Sequence, residues 1–165
     1  MKFDAEEVKS AFIAAARLAR VDLRPDEVDV QLLPAPHQPP TVLPAGQQVV
    51  YCFLLGEGCL KVGKAGAKTQ ARFTSQHYGA HARSTLAKSI IKDRSRIRAL
   101  VADTGHAEVE ALDIQSVGAW LEKNAARLHL LLPAVAPACA LNFAEAFLQC
   151  WLQPVYEGRA PELAG

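Results

Sequence analysis

Apolar residues first recur with a helical period. Within 4–20, Val8, Phe12, Ala15, Ala16 and Ala19 fall on one stripe, and Asp4 followed by Glu7 has the spacing of a capping box. A different rhythm starts at Val49. VVYCFLL (49–55) and CLKVGKA (59–65) flank Gly56-Glu57-Gly58, and strand-forming runs around a glycine-containing loop predict a hairpin. A three-residue loop sets 53 opposite 61 and 51 opposite 63. Val50, Cys52, Leu54, Leu60 and Val62 then share one apolar face. Tyr51, Phe53 and Lys61 project from the other, with Tyr51 and Lys61 diagonal neighbours. Further helices are expected at 68–78, 84–93 (capped by Ser84), 115–126 and 141–152, the last ending before Pro154. RLHLLLP at 127–133 reads as a third strand, while 94–113 shows no clean period. The pattern predicts a mixed α/β (α+β) domain built on a hairpin plus one more strand.

Five prolines between Pro34 and Pro44 mark an extended connector. The organisation expected is an N-terminal helix and connector (1–45) packed on a main domain (46–158), followed by a tail (159–165). With 165 residues, half of them apolar and 21% charged, the chain suits one globular core. No apolar run approaches the roughly 18 residues of a membrane span, and the acidic start MKFDAEEVKS lacks the apolar stretch of a secretory signal. Cys52, Cys59, Cys139 and Cys150 have no zinc-ligand spacing and read as buried thiols of a reducing cytoplasm.

The net charge of +1 conceals a polarised chain. Between 59 and 100 stand ten Lys/Arg and one acid, Asp93; the remainder holds eight basic and sixteen acidic residues. Such a segment is either a solvated face or a phosphate-binding surface. Gly58 to Ala65 nearly spells a nucleotide-binding loop, but Ala65 lacks the hydroxyl that holds magnesium, and the intervening residues form strand rather than a cradle of free N–H groups. Glu145 lies at the edge of the apolar arc of the last helix, beside Leu141 and Leu152. It is either a boundary glutamate reaching water or a carboxylate held for a hard divalent cation. Tyr51, Lys61 and Arg72 would complete such a site, although each alone is also a plausible half-buried aromatic or a snorkelling cation.

Taken together, these residues resemble the GIY-YIG nuclease superfamily over 49–157, about two thirds of the chain. Val49-Val50-Tyr51 stands where the family has G-I-Y, and Lys61-Val62-Gly63 where it has Y-I-G. Arg72 matches the arginine of the family's first helix, and His77 lies near its frequent histidine. Glu145 with the trailing Pro154 matches its metal-binding glutamate. Lysine in place of the first YIG tyrosine also occurs in restriction-enzyme-like members. The family asparagine near the motif's end is replaced by Tyr156 or Glu157.

The resemblance implies a three-stranded antiparallel sheet flanked by helices, cleaving phosphodiesters of DNA, double-stranded above all, with Mg²⁺ or Mn²⁺ on Glu145. Tyr51 would orient or deprotonate water, and its phenol, with a reference pKa near ~10, would need the Lys61 ammonium beside it. Arg72 would grip a non-bridging oxygen. His77 would assist or contact phosphate; a metal site made by His77 and His81 lacks a third ligand. Lys64, Lys68, Arg83, Lys88 and Lys92 are the expected contacts to the nucleic-acid backbone. A catalytically inactive nucleic-acid-binding module of the same fold is the main alternative, and an oligomerising adaptor built on the N-terminal helix is a third. A homo-oligomer is compatible with the sequence.

Overall fold

The computed structural model describes residues 3–80 and 85–156. His81, Arg83, Ser84, Glu157 and the expected tail therefore lie outside the described residues. In chain order the elements are α1 (Ala5–Leu18), β1 (Asp29–Leu33), β2 (Gln47–Leu55), β3 (Gly58–Ala65), α2 (Gln70–Thr74), α3 (Leu86–Lys92), α4 (Ser95–Arg98), α5 (His106–Glu110), α6 (Val117–Asn124), β4 (Ala126–Pro133) and α7 (Ala138–Leu152).

The sheet is antiparallel with order β1-β4-β2-β3, so it has four strands rather than three. The three expected strands are adjacent, with β2 in the middle. The addition is β1, which comes from the segment before the prolines and pairs with β4 at the opposite edge. Its sequence, DVQLL, hides this role because Val30 is its only buried residue. A short edge strand shows little alternation.

The hairpin keeps the expected register at Phe53↔Lys61 and Tyr51↔Gly63, then shifts. Leu54 pairs with Cys59 and Leu55 with Gly58, so the turn is Gly56-Glu57 and Leu60 is the extra residue of a bulge. Gly56 adopts φ +57°, and a Cβ there would lie 2.9 Å from the Leu100 carbonyl oxygen. The bulge turns Leu60 to the Tyr51 side and puts Cys59 with Val50, Cys52, Leu54 and Val62, correcting the predicted faces.

Each face of the sheet has its own core. On one, α1 and α7 meet β2, β3 and β4, and the Phe12 ring lies 6.0 and 5.6 Å from those of Phe143 and Phe147. Asp4 caps α1 by accepting from the Glu6 N–H. On the other face, apolar residues of α2 to α6 cover Tyr51, Phe53, Leu55 and Leu131. The expected helix at 68–78 shortens to α2 and then a turn, in which the Tyr78 N–H returns to Ser75. That turn brings the His77 and Tyr78 rings both to 5.6 Å from Phe53. The α3 cap is Thr85, whose hydroxyl accepts from the Lys88 N–H.

The unclear span 94–113 is tied together by arginines. Arg94 donates to the Leu112 and Ile91 carbonyls, Arg96 to Asp93 and Val155, and Arg98 to Glu110. Three of the ten basic residues thus brace helices. Cys52 and Cys59 are buried, but Cys139 and Cys150 are exposed on α7, contrary to the expectation for all four. Among the described residues, no helix is long and apolar enough to cross a membrane.

Candidate active site

Tyr51 sits on the central strand with Gly63 directly opposite. Its phenol lies across that glycine, where a Cβ would fall 2.7 Å from the Tyr51 oxygen. Any side chain at 63 would displace the phenol, so Gly63 is required by close approach and not by turn geometry. Tyr51 itself is buried apart from what it presents to a cleft of about 170 Å³.

Tyr51, Lys61, Arg72, His77 and Glu145 all line this cleft, with Lys64, Gln76 and Thr85 beside them. Helix α7 covers the sheet face opposite to the one that buries Tyr51. The two groups still meet because β3 is the sheet edge and the cleft wraps around it at Gly63. Lys61 reaches it from the Tyr51 side and Lys64, paired with Val50, from the α7 side.

His77 is buried, and both its ring nitrogens are engaged. The Leu86 backbone N–H donates to Nδ1 at 3.1 Å, and Nε2 lies 2.7 Å from the Tyr51 hydroxyl. A nitrogen that accepts carries no proton, so neutral His77 bears its hydrogen on Nε2 and donates it to the Tyr51 oxygen. Burial, reinforced by Lys61, Arg127 and Arg72, pushes its pKa down to about 3. The ring is therefore neutral at physiological pH. It positions Tyr51 and is spoken for as a metal ligand.

Glu145 is engaged too. Lys64 Nζ lies 2.6 Å from its Oε2 and 2.7 Å from Asn142 Oδ1, one turn earlier on α7. Two hard oxygen donors thus converge on one cationic point, and such donors suit Mg²⁺ or Mn²⁺ once the ammonium swings away. Among the described residues, no three His, Cys, Asp or Glu side chains stand together as a metal-binding group. A cation here would be held by Glu145, with the Asn142 oxygen beside it, and otherwise by oxygens of solvent and phosphate.

Of the expected backbone contacts, Lys68, Lys88 and Lys92 are exposed and Arg83 lies outside the described residues. Lys64 differs from expectation, since it closes on Glu145 within the cleft. The near-match to a nucleotide-binding loop is strand β3, as its residue types required. Sequence reasoning missed the Lys64–Glu145 pair, although Asn142 and Glu145 have the i, i+3 spacing that puts both on one helix face. It also missed Gln76 and Thr85, which carry no sequence signal of their own, and Arg127, an arginine in an otherwise apolar strand.

The chain matches no family model, and neither a curated protein nor a solved structure is significantly similar to it.

Proposed function

We propose that the protein is a metal-dependent endonuclease of the GIY-YIG type that hydrolyses phosphodiester bonds in DNA. The observation that supports this most is the meeting of Tyr51, Lys61, Arg72, His77 and Glu145, drawn from five separate elements and turns, in one cleft. Three of its side chains are cationic and one is a carboxylate, a composition suited to a phosphodiester bound beside a cation.

In this reading the scissile phosphate enters between Arg72 and Lys61. Arg72, exposed on α2, offers its planar fork to a non-bridging oxygen. Tyr51 takes a proton from the attacking water. The His77 Nε2–H steadies the phenolate oxygen that must exist first, and the Lys61 ammonium favours that ionised form. Lys64 leaves Glu145 for the phosphate backbone as substrate arrives. A divalent cation, when bound, supplies charge neutralisation at the phosphate and the leaving oxygen.

One observation favours a second reading. The Lys64–Glu145 pair already satisfies the one carboxylate that lines the cleft among the described residues, as an inactive DNA-binding module of the same fold would do. Incubation with supercoiled and single-stranded DNA in Mg²⁺ or Mn²⁺, against chelator, separates the two. The nuclease reading expects cation-dependent nicking that Glu145→Gln abolishes while DNA affinity is kept. It also expects Lys64→Met to cleave at a lower cation concentration, because the competing ammonium is gone. Absence of cleavage on all substrates, with salt-sensitive binding intact, selects the module.

A further inference from the structure

Arg127 on β4 is the largest fully buried side chain described, with no exposed surface. Its guanidinium stands in a cage of four rings. Cζ lies 4.9 Å from the centroids of Phe53 and Phe73, 5.5 Å from Tyr51 and 5.9 Å from Tyr78. Its hydrogen bonds go to neutral acceptors: Nη2 to the Phe73 carbonyl at 2.8 Å and Nη1 to the Tyr78 hydroxyl at 3.1 Å. Nε has no partner. Among the described residues, no carboxylate pairs with it.

An uncompensated buried cation is costly, and ring faces offset only part of that cost. Burial weakens the hold of Arg127 on its proton, although a guanidinium stays charged inside proteins. The groups nearby that could become anionic are Tyr51, Tyr78 and Cys52. Tyr78 is committed elsewhere. The Ala125 carbonyl can only accept, so the His37 Nδ1 that meets it at 2.7 Å carries a hydrogen. His37 Nε2, 2.5 Å from the Tyr78 oxygen, then accepts the Tyr78 proton. The chain runs Arg127 to Tyr78 to His37 to Ala125, every link a neutral acceptor, and burial raises the Tyr78 pKa. Cys52 points to the opposite face of the sheet, in the apolar core of α1 and α7. Tyr51 remains, on the guanidinium's own face, receiving an N–H from His77 and opening on the cleft.

We propose that Arg127 is a positioning residue for the reaction, its buried guanidinium being the resident counter-charge of the Tyr51 phenolate and its aromatic cage holding the Tyr51 ring in place. This rests on the reading of Tyr51 as the group that takes the proton from water. On ionising, Tyr51 releases its own proton through the cleft to solvent, and the charge left behind has as cationic neighbours Arg127, 5.5 Å from the Tyr51 ring centroid, and Lys61, which lines the same cleft. The other titratable groups facing it are Lys64 from β3, Arg72 from α2, His77 from the turn after α2, His129 from β4 and Glu145 from α7. Among the described residues around it, cations outnumber the one carboxylate, so the surroundings favour the anion even without Lys61.

The test reads ionisation directly and needs no cleavage. In protein carrying ¹³C at the tyrosine Cζ and ¹³C,¹⁵N in arginine, the Tyr51 resonance is assigned by its loss in Tyr51→Phe. The Arg127 guanidinium, charged throughout, should show a change in its resonances with the same midpoint as Tyr51, and that response should vanish in Tyr51→Phe. Tyr51 ionising in the wild-type protein with no change at Arg127 overturns the proposal. Arg127→Met, confirmed folded by near-ultraviolet circular dichroism, should raise the Tyr51 midpoint by about one to two pH units, the effect of an opposite charge at ~4–6 Å. Arg127→Lys should recover most of that shift. An unmoved midpoint in folded Arg127→Met would equally refute it. A protein that cleaves nothing yet shows the coupled titration would sink the nuclease reading and leave this pairing standing.

Discussion

The two faces of the sheet are built from alternate residues of the same strands, yet they obey different rules. Along β4, Leu128, Leu130 and Leu132 point into a core of aliphatic and phenyl side chains under α1 and α7. Arg127 and His129 point the other way, among Tyr51, Phe53 and Phe73, and both are buried. Among the described residues, the first face buries no ionisable group except thiols, and its packing rests on apolar area. The second sacrifices some of that gain by burying a guanidinium and two imidazoles, arranged around one phenol. Along β4, aliphatic packing and the buried ionisable groups that surround Tyr51 are thus separated by one residue of strand register.

A crossed pair of substitutions tests that separation most severely. Leu130→Ala, at a fully buried aliphatic position, should cost about 2–5 kcal/mol of unfolding free energy and leave cleavage by the folded fraction unchanged. Tyr51→Phe should lower the single-turnover rate on the order of 10²–10⁴-fold. Its stability should fall only by about 1–2 kcal/mol, for the His77 N–H left without an acceptor. Urea unfolding and single-turnover cleavage on both variants give four numbers. A Tyr51→Phe protein that is badly destabilised but as fast as wild type would abolish the division of labour.

The same asymmetry explains what could be read from the sequence. The α1/α7 face was legible because apolar periodicity is its organising rule: Val8, Phe12 and Ala16 were on the expected stripe and are buried. The hairpin register was legible up to Phe53↔Lys61, since a one-residue slip would break the segregation that puts Val50 and Cys52 on one face with Val62. It failed beyond that point because Cys59 and Leu60, which the bulge sends to opposite faces, are both apolar, so the shift leaves no trace in the pattern. That Tyr51, Lys61, Arg72, His77 and Glu145 share a site was an expectation of the family resemblance, and they line one cleft, but the way they meet was not foreseen. Nothing in a linear pattern says that Lys64 closes on Glu145, that the cleft wraps the β3 edge, or that Arg127 turns inward. Those depend on contacts between residues far apart in sequence, such as Lys64 with Glu145, 81 positions away, and Arg127 with Phe73, 54 positions away.

Acid should discriminate between the faces more gently. His77 and His129 are both buried, and burial above all, with Arg127 and other cations nearby, pushes each pKa down to about 3. In the unfolded chain each binds its proton near ~6.5. Between those values the unfolded state holds more protons, so the stabilisation is complete above about pH 6.5 and is lost as pH falls toward 3. The slope is roughly 1 kcal/mol per pH unit for each histidine. His129→Leu should flatten the unfolding free energy measured between pH 7 and pH 4.5 by about one histidine's share. A variant that keeps the full wild-type slope would show that His129 is not held neutral.

The smallest effect expected lies where the two concerns touch, at Thr85. Its hydroxyl caps α3 by accepting from the Lys88 N–H at 3.2 Å, and the residue lines the cleft. The next residue, Leu86, gives the N–H that fixes the His77 tautomer. Thr85→Ala should therefore cost about 1 kcal/mol of stability, the ordinary value for a lost N-cap. Helix α3 is held to the rest of the domain by Leu86, Ala87 and Ile90, all buried, so fraying should stop at its first turn. Within that turn the Leu86 N–H loses some of its fixed direction, and with it the Nε2–H that His77 aims at Tyr51. The expected result is a fewfold fall in single-turnover rate with little change in DNA affinity, since the cationic side chains of the cleft are untouched. Thr85→Ser, which keeps the oxygen, should restore both stability and rate. A rate loss in Thr85→Ser as large as in Thr85→Ala would assign the threonine's contribution to its methyl group and to the shape of the cleft, and would remove the helix cap from the path by which the scaffold orients His77.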